Sequence, residues 1–237
     1  MPIYKKVEKN NYRHVSVLPC VSKIFEGVLV DQLSEYFECH MSQFVSGFRK
    51  RHDCQCVLLR FNESLKSHLD NNDIAGAVLT DLSKAFDCLP HDLLISKMYQ
   101  YGVDKSSCKL IASYFKGRYH RVKLGSARSE WLLLTKGAPQ GSIMGPFSYN
   151  VHSNDLIMMM AKLCEIFNYA DDNTVCCYGK ILKEVKCQLE NVITKMLSWF
   201  KINEMKVNND KFQLILFSKN GMYSDESLKV DGARHDI

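Results

Sequence analysis

Two adjacent carboxylates, Asp171 and Asp172, lie in FNYADDNTVCCY, residues 167–178, a stretch otherwise rich in aromatic and β-branched residues. That composition predicts a β-hairpin, and Asp-Asn is turn chemistry, so both acids are expected at its tip. Like charges side by side repel, and no neighbouring cation in the sequence offsets them. A third acid, Asp81, ends the short apolar run IAGAVLTDLS, which reads as a buried central strand. A lone ionised Asp is costly there unless it is paired or metal-bound. Together, Asp81 and Asp171 could bridge two divalent cations about 3.5–4 Å apart, the geometry of in-line phosphoryl displacement. One ion would lower the pKa of an attacking hydroxyl, the other would hold leaving phosphate oxygens, and bound Mg²⁺ would offset the repulsion within the pair. Taken singly, each acid also has a local reading: Asp81 as a cap for the following helix, Asp171–Asp172 as a solvated turn.

The elements that must position these acids alternate between helix and strand. VSKIFEGVLVDQLSEYFECH has apolar residues at helical spacing (Ile24, Val28, Leu33, Phe37), and HDCQCVLLRFNESLKSHLDNN predicts a second helix. PHDLLISKMYQYG begins with Pro and ends with Gly, as helices tend to, and SSCKLIASYFKG repeats that ending. RYHRVKLGSARSEWLLLTKG reads as a hairpin, GAPQGS as a loop, and a helix is expected from Ile143 onward. A long helix, LKEVKCQLENVITKMLSWFKINEM, and a strand, FQLILFS, follow the Asp-Asp hairpin. Helices on a mainly antiparallel sheet, an α+β class, fit this order.

Composition excludes several classes. The 237 residues are 46% hydrophobic and 24% charged, as in ordinary globular domains, with no repeat or low-complexity tract. The opening MPIYKKVEKNNYRH lacks an apolar core of signal-peptide length, and no run approaches a membrane span. The ten cysteines are scattered; Cys54/Cys56 and Cys176/Cys177 lack a second pair at zinc-site spacing. Reduced thiols in an intracellular protein, nuclear or cytoplasmic and not secreted, are expected. Net charge is +5, and residues 101–136 carry eight Lys/Arg against two acids, a local +6. Within that block YFKGRYHRVKLG interleaves aromatics and cations, suited to phosphate contacts and base stacking. A solvated ribbon of snorkelling side chains is the alternative.

Four motifs in order carry a resemblance: DLSKAFDCLPHDLL, GAPQGSIMGP, YADD and NNDK, preceded by NYRHVSVLPCVSKIFE and SGFRK. With these, residues 2–219 resemble the reverse transcriptase domain of non-LTR (LINE-type) retrotransposons. The resemblance implies a right-hand polymerase, with fingers at residues 1–75 and 104–138 and palm at 76–103 and 139–218. Residues 219–237 would begin the connection to a thumb that is absent here, and no endonuclease domain would precede Met1.

By the same resemblance, Asp81 and Asp171 ligate two Mg²⁺ ions, Mn²⁺ being possible in their place, with Asp172 assisting. Phe86 matches the steric gate, a ring set against the 2′ position of the incoming sugar. Arg49 would hold triphosphate oxygens, Gln140 would touch the nucleotide, and Gly137 and Gly141 would free the loop backbone. Lys211 would protonate departing pyrophosphate. The basic block, with Lys116, Arg118, Arg121 and Lys123 at its centre, would lie over the template. Local alternatives are core packing for Phe86 and a surface salt bridge for Arg49. RNA template, DNA primer and deoxynucleoside triphosphates are the implied partners, with no membrane. The expected function is RNA-directed DNA polymerisation; the alternative is a non-catalytic nucleic-acid-binding remnant. A two-metal nuclease would need neither the Phe86 gate nor the nucleotide loop.

Overall fold

The apolar run after residue 73 forms the strand β1 (Ile74–Thr80), buried on both faces along nearly its whole length. In the computed structural model, residues 15–80, 82, 85–207, 212–219, 227–230 and 233–236 are described. Asp81, Lys211 and the opening stretch through residue 14 lie outside the described residues. β1 pairs antiparallel with β7 (Asp172–Gly179) on one side and β8 (Gln213–Phe217) on the other. With β6 (Glu165–Tyr169) the order is β6-β7-β1-β8, a four-stranded antiparallel sheet. Only a strand covered on both faces reads as a continuous apolar run instead of alternating, which is what the sequence of β1 does.

Side-chain alternation sorts the sheet into two packed faces. Ile74, Val78, Ile166, Val175, Cys177 and Leu214 share a core with α6 (Met144–Met160) and α7 (Leu182–Ile202), against Leu156, Ile157, Val185, Leu189 and Met196. Ala77, Phe167 and Cys176 meet Val57 and Phe61 of α2 (Cys54–Asp70) on the opposite face. A second core joins α1 (Cys20–Phe37), α4 (His91–Gln100) and α5 (Lys105–Phe115) to the first half of α6, through Leu33, Phe37, Leu94, Met98, Ile111, Phe115 and Phe147. α6 serves both cores and is therefore buried nearly all round. Asp53 and Asp104 cap α2 and α5, accepting from Cys56 N at 2.7 Å and Ser106 N at 2.7 Å.

Between α5 and α6 the chain makes one nested ribbon: β2 (Tyr119–His120) with β5 (Leu132–Leu133), and β3 (Lys123–Leu124) with β4 (Ala127–Arg128). A single turn, α3 (Ala85–Cys88), and a terminal pair, β9 (Ser227–Val230) with β10 (Ala233–Asp236), were not anticipated from the sequence. Neither was the packing of α1. Ile24 and Val28, expected on the buried face, are 69% and 58% exposed, whereas Glu26 is fully buried. The helix is rolled so that this carboxylate faces three donors, and charge satisfaction outweighs the two aliphatic side chains. β1 starts at Ile74, just ahead of the expected palm boundary, and α2, expected in the fingers, packs on the sheet. Among the described residues no helix is long and apolar enough to cross a membrane.

Candidate active site

The β6–β7 hairpin places Asp171 in its two-residue loop and Asp172 at the first position of β7, where it pairs with Tyr169. Asp171 is half-buried and Asp172 exposed. The positive φ that such a tight hairpin needs at its first loop position falls on Ala170 (φ 56°), and not on Asp or Asn as turn chemistry suggested. Ala170 tolerates it because the loop is held from outside. Its N–H donates to the Ser46 carbonyl at 2.8 Å, and Gly47 runs so close that a Cβ there would lie 2.7 Å from the Ala170 nitrogen.

Buried amides surround this tip. Asn168 and Asn173 sit opposite each other on β6 and β7, each 2% exposed. Asn168 accepts from Ser46 N at 3.1 Å and donates to Ala170 O at 2.8 Å and Asn173 Oδ1 at 3.0 Å. Asn173 donates to Asp171 O at 3.3 Å, and Asn150 of α6 donates to Gly47 O at 2.9 Å. β1 leads towards the same place: its pairing with β7 runs to Thr80↔Asn173, and Thr80 Oγ1 donates to Asn173 O at 3.3 Å.

Tyr149, fully buried on α6, links the acids to Phe86. Burial and then the negative charges of Asp171 and Asp172 hold its phenol above the usual tyrosine range. Its ring lies 5.2 Å from that of Phe86, and Phe48 meets the other side of Phe86 edge-on at 6.0 Å. The loop before α6 is seated on the turn that carries Phe86. Ala138 N donates to Phe86 O at 2.8 Å, Gly137 N to Leu89 O at 2.7 Å, and Gln140 Nε2 to Asp87 Oδ1 at 3.0 Å. Gly137 (φ 83°) is required at this contact, since a Cβ would lie 2.6 Å from the Asp87 carbonyl oxygen. Gly141 (φ 102°) is exposed beside Gln140.

Glu26 fixes the far side of this loop. Its carboxylate accepts from Ile143 N at 2.7 Å, Tyr114 Oη at 2.9 Å and Ser22 Oγ at 3.1 Å. A buried anion at the start of α6 also complements the positive end of that helix's dipole. Arg49 is turned inward: Nη1 donates to the carbonyls of Ser42 (2.8 Å) and Val45 (2.9 Å), and Nη2 pairs with Glu38 at 2.8 Å. Both Nη atoms are thus engaged by protein groups, bracing the turn before Ser46, while the buried Nε has no partner among the described residues.

Lys116, Arg118, Arg121 and Lys123 lie together on and beside the ribbon, away from the buried core. Arg118 covers the Tyr114 ring at 4.5 Å, and Arg121 covers the Trp131 ring at 4.5 Å. Tyr119 and Trp131 are more than half exposed, so cations and aromatic faces alternate on an open surface.

Tyr149 thus links the Asp171–Asp172 tip to the Phe86 ring, and the loop with Gln140 and Gly141 is bonded to the turn that carries Phe86. Arg49 bonds to Glu38 and two carbonyls, and the ribbon cations lie on an exposed surface. Glu26, Tyr149, Asn150, Asn168 and Asn173 escaped sequence reasoning. The available signal was the Asn on each side of YADD, two amides at alternation positions that should be apolar.

A family described as "Reverse transcriptase (RNA-dependent DNA polymerase)" matches residues 3–232. The chain is 28% identical over 85% of its length to the "Probable RNA-directed DNA polymerase from transposon BS" of Drosophila melanogaster. It is 26% identical over 92% of its length to the RNA-directed DNA polymerase from mobile element jockey of Drosophila funebris. It spans 23% and 24% of those two relatives. Among solved structures, telomerase from Candida tropicalis in complex with a fragment of telomeric RNA aligns over 89% of this chain and 35% of its own, with a TM-score of 0.58 at 13% identity. That likeness shows the fold, the palm-and-fingers arrangement of helices on an antiparallel sheet. The family match, spanning nearly the whole chain, settles descent: this chain belongs to the reverse transcriptase family.

Proposed function

We propose that the chain is the palm and fingers of a retrotransposon RNA-directed DNA polymerase, extending a DNA primer with deoxynucleotides on an RNA template. One observation carries this reading. The Asp171–Asp172 tip and the Phe86 ring are both neighbours of Tyr149, and the Gln140 loop is bonded to the turn that carries Phe86, which supports an acid pair, a ring and a polar loop serving one site. In this reading the palm is 76–103 and 139–218, and the fingers are 1–75 and 104–138. An intracellular site of action, nuclear or cytoplasmic, belongs to the same reading.

The donor chemistry of the tip, with Asp81 added from outside the described residues, supports a site for hard divalent cations. Carboxylate oxygens are the donors that Mg²⁺ takes, no lysine or arginine among the described residues ion-pairs with Asp171, and Thr80, which precedes Asp81 in sequence, pairs beside the tip. Asp81, Asp171 and Asp172 would hold Mg²⁺, or Mn²⁺ in its place. Bound there, such ions supply an activated primer hydroxyl and charge neutralisation on the phosphates. The chain's own groups do the rest. Asp171 and Asp172 fix the negative charge at the tip, and Tyr149 seals it from below. Phe86 is assigned the ring that excludes a 2′-hydroxyl, and Gln140, held by Asp87, lies on the loop bonded to the same turn. Lys211 is assigned the proton for departing pyrophosphate. Arg49 enters as a brace of the turn before Ser46, and the ribbon cations take template phosphates with Trp131 and Tyr119 as stacking surfaces.

Primer extension in Mg²⁺ on an RNA template tests the reading. Asp171→Asn is expected to lose incorporation while folding as well as, or slightly better than, the unmodified chain in metal-free buffer, because repulsion within the pair is relieved. Robust synthesis by Asp171→Asn overturns the assignment. Template binding without any incorporation by the unmodified chain favours the non-catalytic remnant.

A further inference from the structure

On the face of the sheet that meets α6, the row Ile166 and Val175 is apolar and buried, and alternation calls for two more apolar residues at its end. Asn168 and Asn173 occupy those places instead, both 2% exposed. Leucine or valine would pack there at no polar cost, so the amides need a reason. It lies in the backbone groups around them. Without the two side chains, the Ser46 N–H and the Ala170 and Asp171 carbonyls would lose the partners just described. From Ser46 to Asp171 the contacts form one unbroken relay: Ser46 N–H to Asn168, Asn168 to Asn173, Asn173 to the carbonyl of Asp171.

We infer that Asn168 and Asn173 are positioning residues for the Asp171–Asp172 carboxylates, locking the hairpin tip to the 46–48 segment so that metal-binding oxygens and the Phe48–Phe86 rings are held as one unit. The inference rests on the polymerase reading and deepens it: it says what sets the spacing between the acids and the ring that screens the sugar. Ala170, with its left-handed backbone, does not hold the tip by turn preference, and Gly47 leaves the contact open only because it has no side chain. Asn150 completes the lock from α6 through Gly47 O.

Mn²⁺ titration followed by electron paramagnetic resonance, on the full chain and without substrate, separates positioning from folding. Asn168→Leu and Asn173→Val stay close in size, suit a strand at least as well as Asn, and fill the row with apolar groups. Both strip partners from backbone groups around the tip and should lower the thermal midpoint. Measured well below it, where circular dichroism matches that of the unmodified chain, they are expected to bind Mn²⁺ on the order of tenfold more weakly, the effect of displaced ligands. The Mg²⁺ concentration for half-maximal primer extension should rise in step. Asn173→Val carries the test alone if Asn168→Leu does not fold, since Asn173 contacts the Asp171 carbonyl directly. Unchanged Mn²⁺ affinity in a folded variant, with binding lost in Asp171→Asn, overturns the positioning role and leaves the polymerase reading standing. Absence of Mn²⁺ binding by the unmodified chain overturns the metal assignment, and this inference with it.

Discussion

Gly47→Ala probes the contact between the 46–48 segment and the hairpin tip. The added Cβ would lie 2.7 Å from the Ala170 nitrogen and 3.2 Å from its Cα, both backbone atoms that cannot rotate aside. Two costs combine. A left-handed backbone (φ 86°) disfavours any residue with a Cβ by roughly 1–2 kcal/mol. Relieving the clash must lengthen the Ser46 O to Ala170 N hydrogen bond, now 2.8 Å, and the Asn150 bond to Gly47 O, at about 1 kcal/mol each. The total is about 3–4 kcal/mol, which in a chain of this size lowers the thermal midpoint by about 6–16 °C. Gly125→Ala is the matched control. Its φ is also left-handed (61°), but nothing lies within 4 Å of the added atom, so backbone strain alone should cost about 2–8 °C. Thermal unfolding followed by circular dichroism measures both. Equal shifts for the two variants would refute the claim that Gly47 is held by contact with the tip.

Phe86→Val should admit ribonucleotides while sparing much of the deoxynucleotide rate, because it removes a clash and no catalytic group; primer extension with each nucleotide type checks this, and unchanged discrimination would leave Phe86 as packing for Tyr149. Replacing Lys116, Arg118, Arg121 and Lys123 with Gln should flatten the salt dependence of duplex binding by about 0.9 log units per log salt for each phosphate contact removed; an unchanged slope moves the nucleic-acid path off the ribbon. Burial pushes the Cys176 and Cys177 thiols up to about 12 and about 11, and both are inaccessible, so alkylation of the native chain at pH 8 should mark the exposed Cys20, Cys39, Cys54 and Cys187, more slowly the exposed Cys56, whose thiol the Asp53 carboxylate holds up, and reach the buried pair only on unfolding. Prompt labelling of Cys176 in mass spectra of native protein would show that the packing of β7 against α2 is looser than described.

Local pattern was enough for β1, the Asp-Asp hairpin, the ribbon and every helix but the single turn α3. Each of these announces itself within a short window, by an apolar run, by alternation, or by Pro and Gly at its ends. The candidate site came from the resemblance of several motifs in order, since each acid taken singly also had a local reading. What a window cannot hold is the partner from another part of the chain. Glu26 reads as an exposed helical acid until Tyr114 and the Ile143 N–H are brought to it, and that encounter rolls α1 and leaves Ile24 and Val28 outside. Arg49 reads as a phosphate ligand until Glu38 and two carbonyls close around it. Asn168 and Asn173 gain a purpose only when the Ser46 amide and the tip carbonyls are brought to them.

The central position of β1 constrains how the chain can be made. Ala75 pairs with Tyr178 on one edge and Phe217 on the other, so the edges of this apolar strand close only after residues far downstream of it have been synthesised. At about 5–20 residues per second the second edge stays bare for on the order of ten seconds on the ribosome. An open apolar edge is a template for mispairing with other strands. The helical cluster of α1, α4 and α5 needs only α6 to complete it, and so can form while β1 still waits. Any shortened version that stops before Gln213 would keep β1 bare on one side permanently and should aggregate, which places the C-terminal limit of a tractable fragment beyond Phe217.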